Sequence, residues 1–528
     1  MRDRSHLRVY TDLNAKSCSE TRPTRLLRHA ELSEIELAIA TPHTLNHGDT
    51  MGLDRPYLFI DGQFVAGTEA LVDVVNPTTA KVLGSAATAG TTDIDAAVAA
   101  AHAALPVWSH TPVAERAELL ERFAAGLAAR ADETAALCTQ ENGTPIMISA
   151  GANGHAPASI VRMYARIALE LAWQETRTSL AGTTDVRRVP VGVVAAISPW
   201  NYPQTLAMMK IAPALAAGCT VVFKAALETA LDAFVLADAA AEAGLPAGVL
   251  NIVPAGLEPS RHLVSHPDID KVAFTGSTPA GRAIGEVCGR LLRPVTLELG
   301  GKSAGIVLDD VDLSTLARGL FEASFANNGM TCHASTRLLV PSSRYGETVD
   351  TVTSVVESFT VGDPMEPDTM IGPMVTANHQ QRVLGYIEAG RATGARLTTG
   401  GRAMTEREGY FIAPTVFADV DNSDAIAQQE IFGPVLSIIE YSDDAHAVKI
   451  ANDSEFGLGG TVWSADLNRA DEVARQIKTG TIGINSYILD PDSPFGGVKA
   501  SGYGRELGPE GIEPYLTYQS IYKDPATV

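Results

Sequence analysis

A chain of 528 residues is too long for one compact core and should divide into two or three domains, with room for a cleft between them. With 45% hydrophobic and 19% charged residues, the composition is that of a soluble, packed protein and excludes a disordered one. A formal charge of −22 counts against nucleic acid and anionic membranes, which need clustered Lys and Arg, and leaves small-molecule chemistry as the natural function class.

Residues 1–50 carry Arg2, Arg4, Arg8, Arg22, Arg25 and Arg28 together with Asp3, Asp12 and Glu31, without a sustained period. They read as a disordered or extra leader, with a transit peptide as the alternative that their acidic residues oppose. Ordered sequence is expected from Met51, where the strand-like YLFI and the turn DG follow. From about residue 190 apolar strands alternate with helical stretches. VGVVAAIS, CTVVFKA, VLNIVPA, KVAFTGS and PVTLEL read as strands; PQTLAMMKIAPALAAG, ALDAFVLADAAAEAG, PSRHLVSH and GRAIGEVCGRL read as helices. This order calls for an α/β fold with a parallel sheet covered on both faces, in which ligands bind beyond the carboxyl ends of the strands. Trp200, Asn201, Lys224, Gly276 and Ser277 all fall at such ends.

The five cysteines are Cys18, Cys138, Cys219, Cys288 and Cys332. They lack CxxC spacing and the density of a disulfide scaffold, which favours a reducing compartment and indicates no metal site. With no apolar run long enough for a membrane span and no secretory core at the N-terminus, the cytoplasm is the expected address.

Cys332 lies in FANNGMTCHASTR, a stretch that reads as a helix N-terminus after a polar loop, a setting that lowers a thiol pKa. The plainer reading is a small buried apolar residue, as for Cys138, Cys219 and Cys288. His333 next to it is expected to point away, because adjacent helical side chains do not share a face. Glu298 ends PVTLEL just before Gly300 and Gly301, where a carboxylate among apolar neighbours should have a raised pKa and act as a base; an ion pair with Lys302 is the alternative. The Asn201 amide is either an oxyanion donor or a helix cap. FTGSTPAG turns from strand to helix, so Gly276 and Ser277 either receive a pyrophosphate or form an ordinary tight turn. Lys224 either holds ribose hydroxyls or is simply solvated.

SPWNYP, FTGSTPAGR, LELGGKS, NNGMTCHASTR, QEIFGPVL and PFGGVKASGYGRELG stand in the order and approximate spacing of the NAD(P)-dependent aldehyde dehydrogenase superfamily, which the chain resembles from about residue 52 to 525. The resemblance is to the hydrolytic type, since CoA-acylating relatives generally lack the base at the Glu298 position. It implies that Cys332 attacks the aldehyde, that Asn201 and the Cys332 N–H hold the oxyanion, and that Glu298 activates water to release the acid. Lys210 matches a lysine supporting the Asn201 and Cys332 loops. Ile197, Ser198, Pro199, Trp200, Lys224, Glu228, Gly256, Thr275, Gly276, Ser277, Leu299, Gly300, Glu430 and Phe432 match the cofactor site.

After Lys224 the chain departs from the family's KPSPETP or KPAEQTP and reads KAALETA. The acidic residue therefore arrives as Glu228, four residues on. If it reaches the ribose it repels a 2′-phosphate and favours NAD; if it does not, NADP is accepted.

The matched pocket of Tyr202, Leu206, Met209, Ala326, Thr331, Leu489 and Phe495 is mostly apolar and lacks an Arg for a second carboxylate. Apolar aliphatic, terpenoid or aromatic aldehydes are therefore expected. The family fold implies a Rossmann-like cofactor domain (51–173 and 191–298), a catalytic domain (299–500) and an oligomerisation element (174–190 and 501–528). Homodimers or homotetramers should follow.

Overall fold

The computed structural model describes residues 53–523, so the expectations for residues 1–50 and for translation from Met51 lie outside the described residues. Among these, an eight-stranded sheet runs in the order Gly502–Tyr503, Val295–Glu298, Lys271–Thr275, Val193–Ile197, Thr220–Lys224, Leu250–Ile252, Tyr57–Ile60, Gln63–Ala66. Its middle five strands are parallel. Val193–Ile197 is a fully buried run of small and branched residues, as a strand covered on both faces requires.

Chain order reverses beside this strand. From it the chain moves one way to Thr220–Lys224 and Leu250–Ile252, then returns to its other side as Lys271–Thr275 and Val295–Glu298. Such a reversal splays the connecting segments apart and opens a crevice at the carboxyl ends of the strands. Register aligns Ile197 with Lys224 and with Phe274, and Thr275 with Glu298, so the expected site residues leave the sheet along one edge.

Helix Pro203–Ala217 follows the first of these strands. Proline suits its first turn, Gly218 at φ 93° ends it, and all of its residues are buried beneath helices Val113–Ala129 and Ala156–Glu170. The core around it includes Trp108, Phe123, Tyr164, Phe223 and Phe234, each buried almost completely. Each such side chain contributes on the order of 1.5–3 kcal/mol by leaving water.

After Glu298 the chain crosses at Gly300–Gly301 into a seven-stranded sheet. Its order is Arg396–Thr399, Thr415–Ala418, Val435–Tyr441, Arg337–Pro341, Ala304–Val307, Gly460–Trp463, Gly483–Ile484. Ala304–Val307 and Arg337–Pro341 are parallel neighbours, which brings the segment just before Arg337, with Cys332 in it, back to the crossing point.

A separate three-stranded sheet joins the hairpin Gln174–Ser179 and Gly182–Pro190 to Leu516–Lys523. Its C-terminal boundary differs from the expected 501–528. Gly502–Tyr503 pairs instead with Val295–Glu298 in the eight-stranded sheet, and Phe495 bridges Glu506. The glycine-rich 496–508 stretch can fold back there because its small residues let backbone approach backbone, so among the described residues of this segment only Leu516–Lys523 pairs with the hairpin.

Candidate active site

Cys332 is not at a helix N-terminus. It occupies a turn after the 3-10 stretch Ala326–Gly329, because Asn327 and Asn328 take left-handed φ of 54° and 60°, which stops helix growth. Such backbone persists only where the surroundings over-determine it. Here the Asn327 amide donates to Asn201 O (2.8 Å) and its Oδ1 accepts from the Thr144 hydroxyl (2.7 Å). Asn328 donates to Gly143 O (2.9 Å) and Pro373 O (3.1 Å), and accepts from Gly372 N (2.6 Å). Two buried amides thus tie the nucleophile loop to the 142–144 and 201 segments.

Without a helix terminus only the His333 backbone N–H works to lower the thiol pKa. Burial pushes the Cys332 pKa well up, and the neighbouring Glu298 carboxyl adds to the rise. Glu298 is itself raised to about 8, chiefly by burial and then by the charge of Glu506, with Lys210 and the Cys332 thiol acting the other way. Neither Glu298 oxygen has a hydrogen-bond partner, and Lys302 Nζ is buried and unpaired, so the alternative Glu298–Lys302 ion pair is absent among the described residues. The resting pair is a thiol beside a largely protonated carboxyl, poised to lose one proton rather than two.

Asn201 is not a helix cap: Tyr202 holds the N-cap position of Pro203–Ala217 without a side-chain cap bond. The Asn201 amide donates to Met330 O (3.0 Å), which aims Nδ2 at the Cys332 loop and leaves its second hydrogen for an oxyanion.

Lys210 does not support the Asn201 and Cys332 loops directly. Its fully buried ammonium binds Glu506 Oε1 (2.8 Å) and Thr275 Oγ1 (2.6 Å), with a longer bond to Leu206 O (3.4 Å). A buried charge needs such a partner, and Glu506 from the C-terminal segment supplies it. Glu506 was missed by sequence reasoning; its one signal was an acidic residue at the end of the glycine-rich PFGGVKASGYGRELG.

The two glycines at the crossing are there for close approach. A side chain at Gly300 would run into the Glu430 carboxylate, and one at Gly301 into the Cys332 carbonyl. Gly301 N donates to Glu430 Oε1 (3.0 Å). Glu430 is raised to about 7 by burial, a shift that the Gly301 bond opposes. Phe432 has φ 63°, held by His379, whose Nε2 lies 2.7 Å from Phe432 O, while Arg382 donates to Glu430 O (2.7 Å). Trp200 packs edge to face on both Phe432 (5.5 Å between ring centres) and His379 (5.3 Å). Neither His379 nor Arg382 carried a sequence signal.

Ile197, Ser198 and Pro199 leave the central strand beside Lys224, and Thr275 with Gly276 leaves the next strand beside Glu298 and Leu299. Burial lowers the Lys224 pKa while Glu228, in the turn before helix Ala230–Ala243, opposes the shift. Ser277 is the N-cap of helix Thr278–Arg290; its Oγ accepts from Ala280 N (3.4 Å) and keeps its own proton free to donate. Gly256 begins helix Leu257–Ser265 with nothing within 4 Å of where a side chain would start. Open ground at Gly256, a helix terminus, an amine at a strand end with an acid in the turn that follows it, and the Trp200–Phe432 wall fit an extended dinucleotide.

In the expected pocket, the Tyr202 hydroxyl lies 2.8 Å from Thr331 Oγ1, which donates to Ala326 O (3.0 Å). Leu206 and Met209 belong to the buried core, as does Phe495, whereas Leu489 is exposed. His333 is not turned away by helical geometry, since there is no helix. It stacks on Tyr487 (4.3 Å, 14°) and stands edge-on to Phe495 (6.0 Å). Burial lowers its pKa to about 4, so it is a neutral ring in an aromatic wall and a weak base. Cys138, Cys219 and Cys288 are buried free thiols.

Residues 64–521 match the model of the Aldehyde dehydrogenase family, and the chain belongs to that family. It is similar to a geranial dehydrogenase of Castellaniella defragrans (51% identical over 476 residues, covering 89% of this chain and 99% of the relative). It is likewise similar to a phenylacetaldehyde dehydrogenase of Pseudomonas fluorescens (43% over 483 residues, 89% and 96%). A solved Mycobacterium tuberculosis aldehyde dehydrogenase in complex with NAD+ superposes with a TM-score of 0.87 at 46% identity, covering 89% of this chain and 98% of that one. The protein is an NAD(P)-dependent aldehyde dehydrogenase that oxidises an aldehyde to its carboxylic acid.

Proposed function

We propose that the enzyme oxidises apolar aldehydes, terpenoid or aromatic in type, with NAD through a thioester on Cys332. The observation that carries the mechanism is the buried thiol–carboxyl pair of Cys332 and Glu298, with the Asn201 amide fixed on the nucleophile loop. As Cys332 attacks the carbonyl carbon, its proton leaves through the adjacent carboxylate form of Glu298. The oxyanion that forms is held by Asn201 Nδ2 and the Cys332 N–H, in a setting where fixed donors are worth far more than water. When bound, the nicotinamide supplies the hydride acceptor. Loss of hydride leaves the acyl group on Cys332; Glu298, ionised again, takes a proton from water as its oxygen attacks, and the acid departs with the thiol restored. Lys210 and Glu506 set the charge around Glu298, while Glu430 and Phe432 would hold the nicotinamide end.

NAD is favoured over NADP because Glu228 stands near Lys224, where its carboxylate would repel a 2′-phosphate. The similar Mycobacterium enzyme was solved with NAD+. The substrate class rests on the wall of Tyr202, Phe495, Tyr487 and neutral His333, and on the geranial and phenylacetaldehyde relatives.

The cofactor domain would comprise the eight-stranded sheet with its helices, and the catalytic domain the seven-stranded sheet. The three-stranded sheet would pair protomers into a homodimer or homotetramer, since it exposes Tyr518, Ile521 and Tyr522. A cytoplasmic address agrees with the absence, among the described residues, of a helix long and apolar enough to cross a membrane. An aldehyde panel of aliphatic, terpenoid, aromatic and acidic members, run with NAD and NADP separately, tests the reading. A preference for semialdehydes bearing a second carboxylate, or for NADP, would overturn the corresponding half.

A further inference from the structure

Away from the strand ends, helix Leu257–Ser265 carries His262, and His266 follows as its C-cap residue one turn further on. Residues four apart share a helical face, and these two rings stand edge to face with centres 5.6 Å apart. Helix Thr91–Trp108 packs against this helix and brings Asp95 between them. Asp95 Oδ1 lies 2.5 Å from His262 Nε2 and 3.4 Å from His266 Nε2, and one donor atom from each residue lies within 4.8 Å of the others. Nothing in the oxidation of an aldehyde uses these groups.

We propose that Asp95, His262 and His266 bind one divalent transition-metal ion, zinc being the best fit, which staples the two helices together. Ligands about 2.0–2.2 Å from a tetrahedral zinc stand roughly 3–3.5 Å from one another, so the existing cluster closes on an ion with small side-chain movements. Two imidazoles and one carboxylate select zinc, cobalt or nickel over magnesium and calcium, which prefer all-oxygen shells. Asp95 and His262 are 53% and 36% exposed, which leaves an entry path and a place for water as fourth ligand. His266 is only 12% exposed, and without a metal its Nδ1 accepts from Asp268 N (3.1 Å). Ligation through Nε2 moves each ring proton to Nδ1, so the Asp268 bond is given up; it is a single, exposed bond. The ion sits at the foot of the helix that opens at Gly256, and its role is to hold the cofactor half of the molecule rather than to take part in chemistry.

The full-length chain carrying Cys332→Ala, which removes the active-site thiol as a competing ligand, is stripped with chelator and titrated with Zn2+ and, separately, Co2+. The expected result is one equivalent bound, a Tm that rises with Zn2+, and visible Co2+ absorption of a four- or five-coordinate ion. His262→Ala and Asp95→Asn, added singly, should weaken binding by about tenfold or more and abolish the Tm response, given that even outer-shell substitutions cost about 10–100-fold. Both positions are exposed enough that the variants should fold, and an unchanged far-UV spectrum checks this; His266→Gln is the reserve. Stoichiometry and Tm response unchanged in these variants, or no binding by the parent chain, overturns the proposal.

Discussion

The ionisation of Glu298 should govern the release of product. With its pKa near 8, about one molecule in eleven carries the base at about pH 7 and about ten in eleven at about pH 9, so the hydrolytic step should accelerate roughly tenfold across that interval. The sign is that of a buried carboxyl: burial favours the protonated form, and activity is gained as pH rises through the raised value. In the acylated enzyme the free Cys332 thiol beside Glu298 is gone, which removes an influence that held the value down, so the midpoint should not fall. Rapid mixing with NAD and an aldehyde separates a burst of reduced cofactor from a slower steady phase set by hydrolysis. The slow phase should follow a single ionisation near 8, and Glu298→Gln, which also removes the acceptor of the thiol proton, should slow the burst and flatten the slow phase against pH. A slow phase that is constant over this interval in the parent enzyme, with hydrolysis still limiting, would refute the assignment of Glu298 as a base raised by burial.

Asn201→Ala should lower kcat by about 10²–10³-fold, the usual cost of one oxyanion donor, with cofactor affinity retained in fluorescence titration. Asn328→Ala removes an amide that satisfies three buried backbone groups and puts alanine at φ 60°. It should cost about 2–4 kcal/mol, read as a lower midpoint in denaturant melts. Glu228→Gln should raise kcat/KM with NADP by about tenfold or more while changing NAD turnover little, consistent with the removal of about 1–2 kcal/mol of charge repulsion near the ribose.

The parallel sheet was legible because its strands are buried on both faces and so read as short apolar runs between helices with clear stops, such as Gly218 after Pro203–Ala217. The placement of Glu298, Asn201 and Lys224 along one edge of the sheet was legible because they stand at the ends of those runs. The setting of Cys332 was not. ANNG looks like the approach to a helix, yet its two asparagines adopt left-handed backbone for the sake of partners at Gly143, Thr144 and Pro373, which no local pattern announces. His333 was expected to point away on the strength of a helix that does not form; its ring instead packs against Tyr487 and Phe495 as a neutral group. Glu506 and Lys210 meet across most of the chain, and such long-range pairing of buried charges leaves no periodic trace. The Asp95–His262–His266 cluster escaped for the same reason, since two of its three members lie close in sequence and the third comes from a different helix.

The raised thiol of Cys332 bears on the kind of molecule the enzyme can handle safely. Thiolates, not thiols, react with oxidants, alkylating agents and the β-carbon of conjugated enals. A thiol whose pKa is pushed up by burial and by the neighbouring Glu298 is a poorer target for peroxide and for conjugated enals than a thiolate would be. The burial that raises both Glu298 and Cys332 thus limits hydrolysis at neutral pH and makes the resting thiol less reactive.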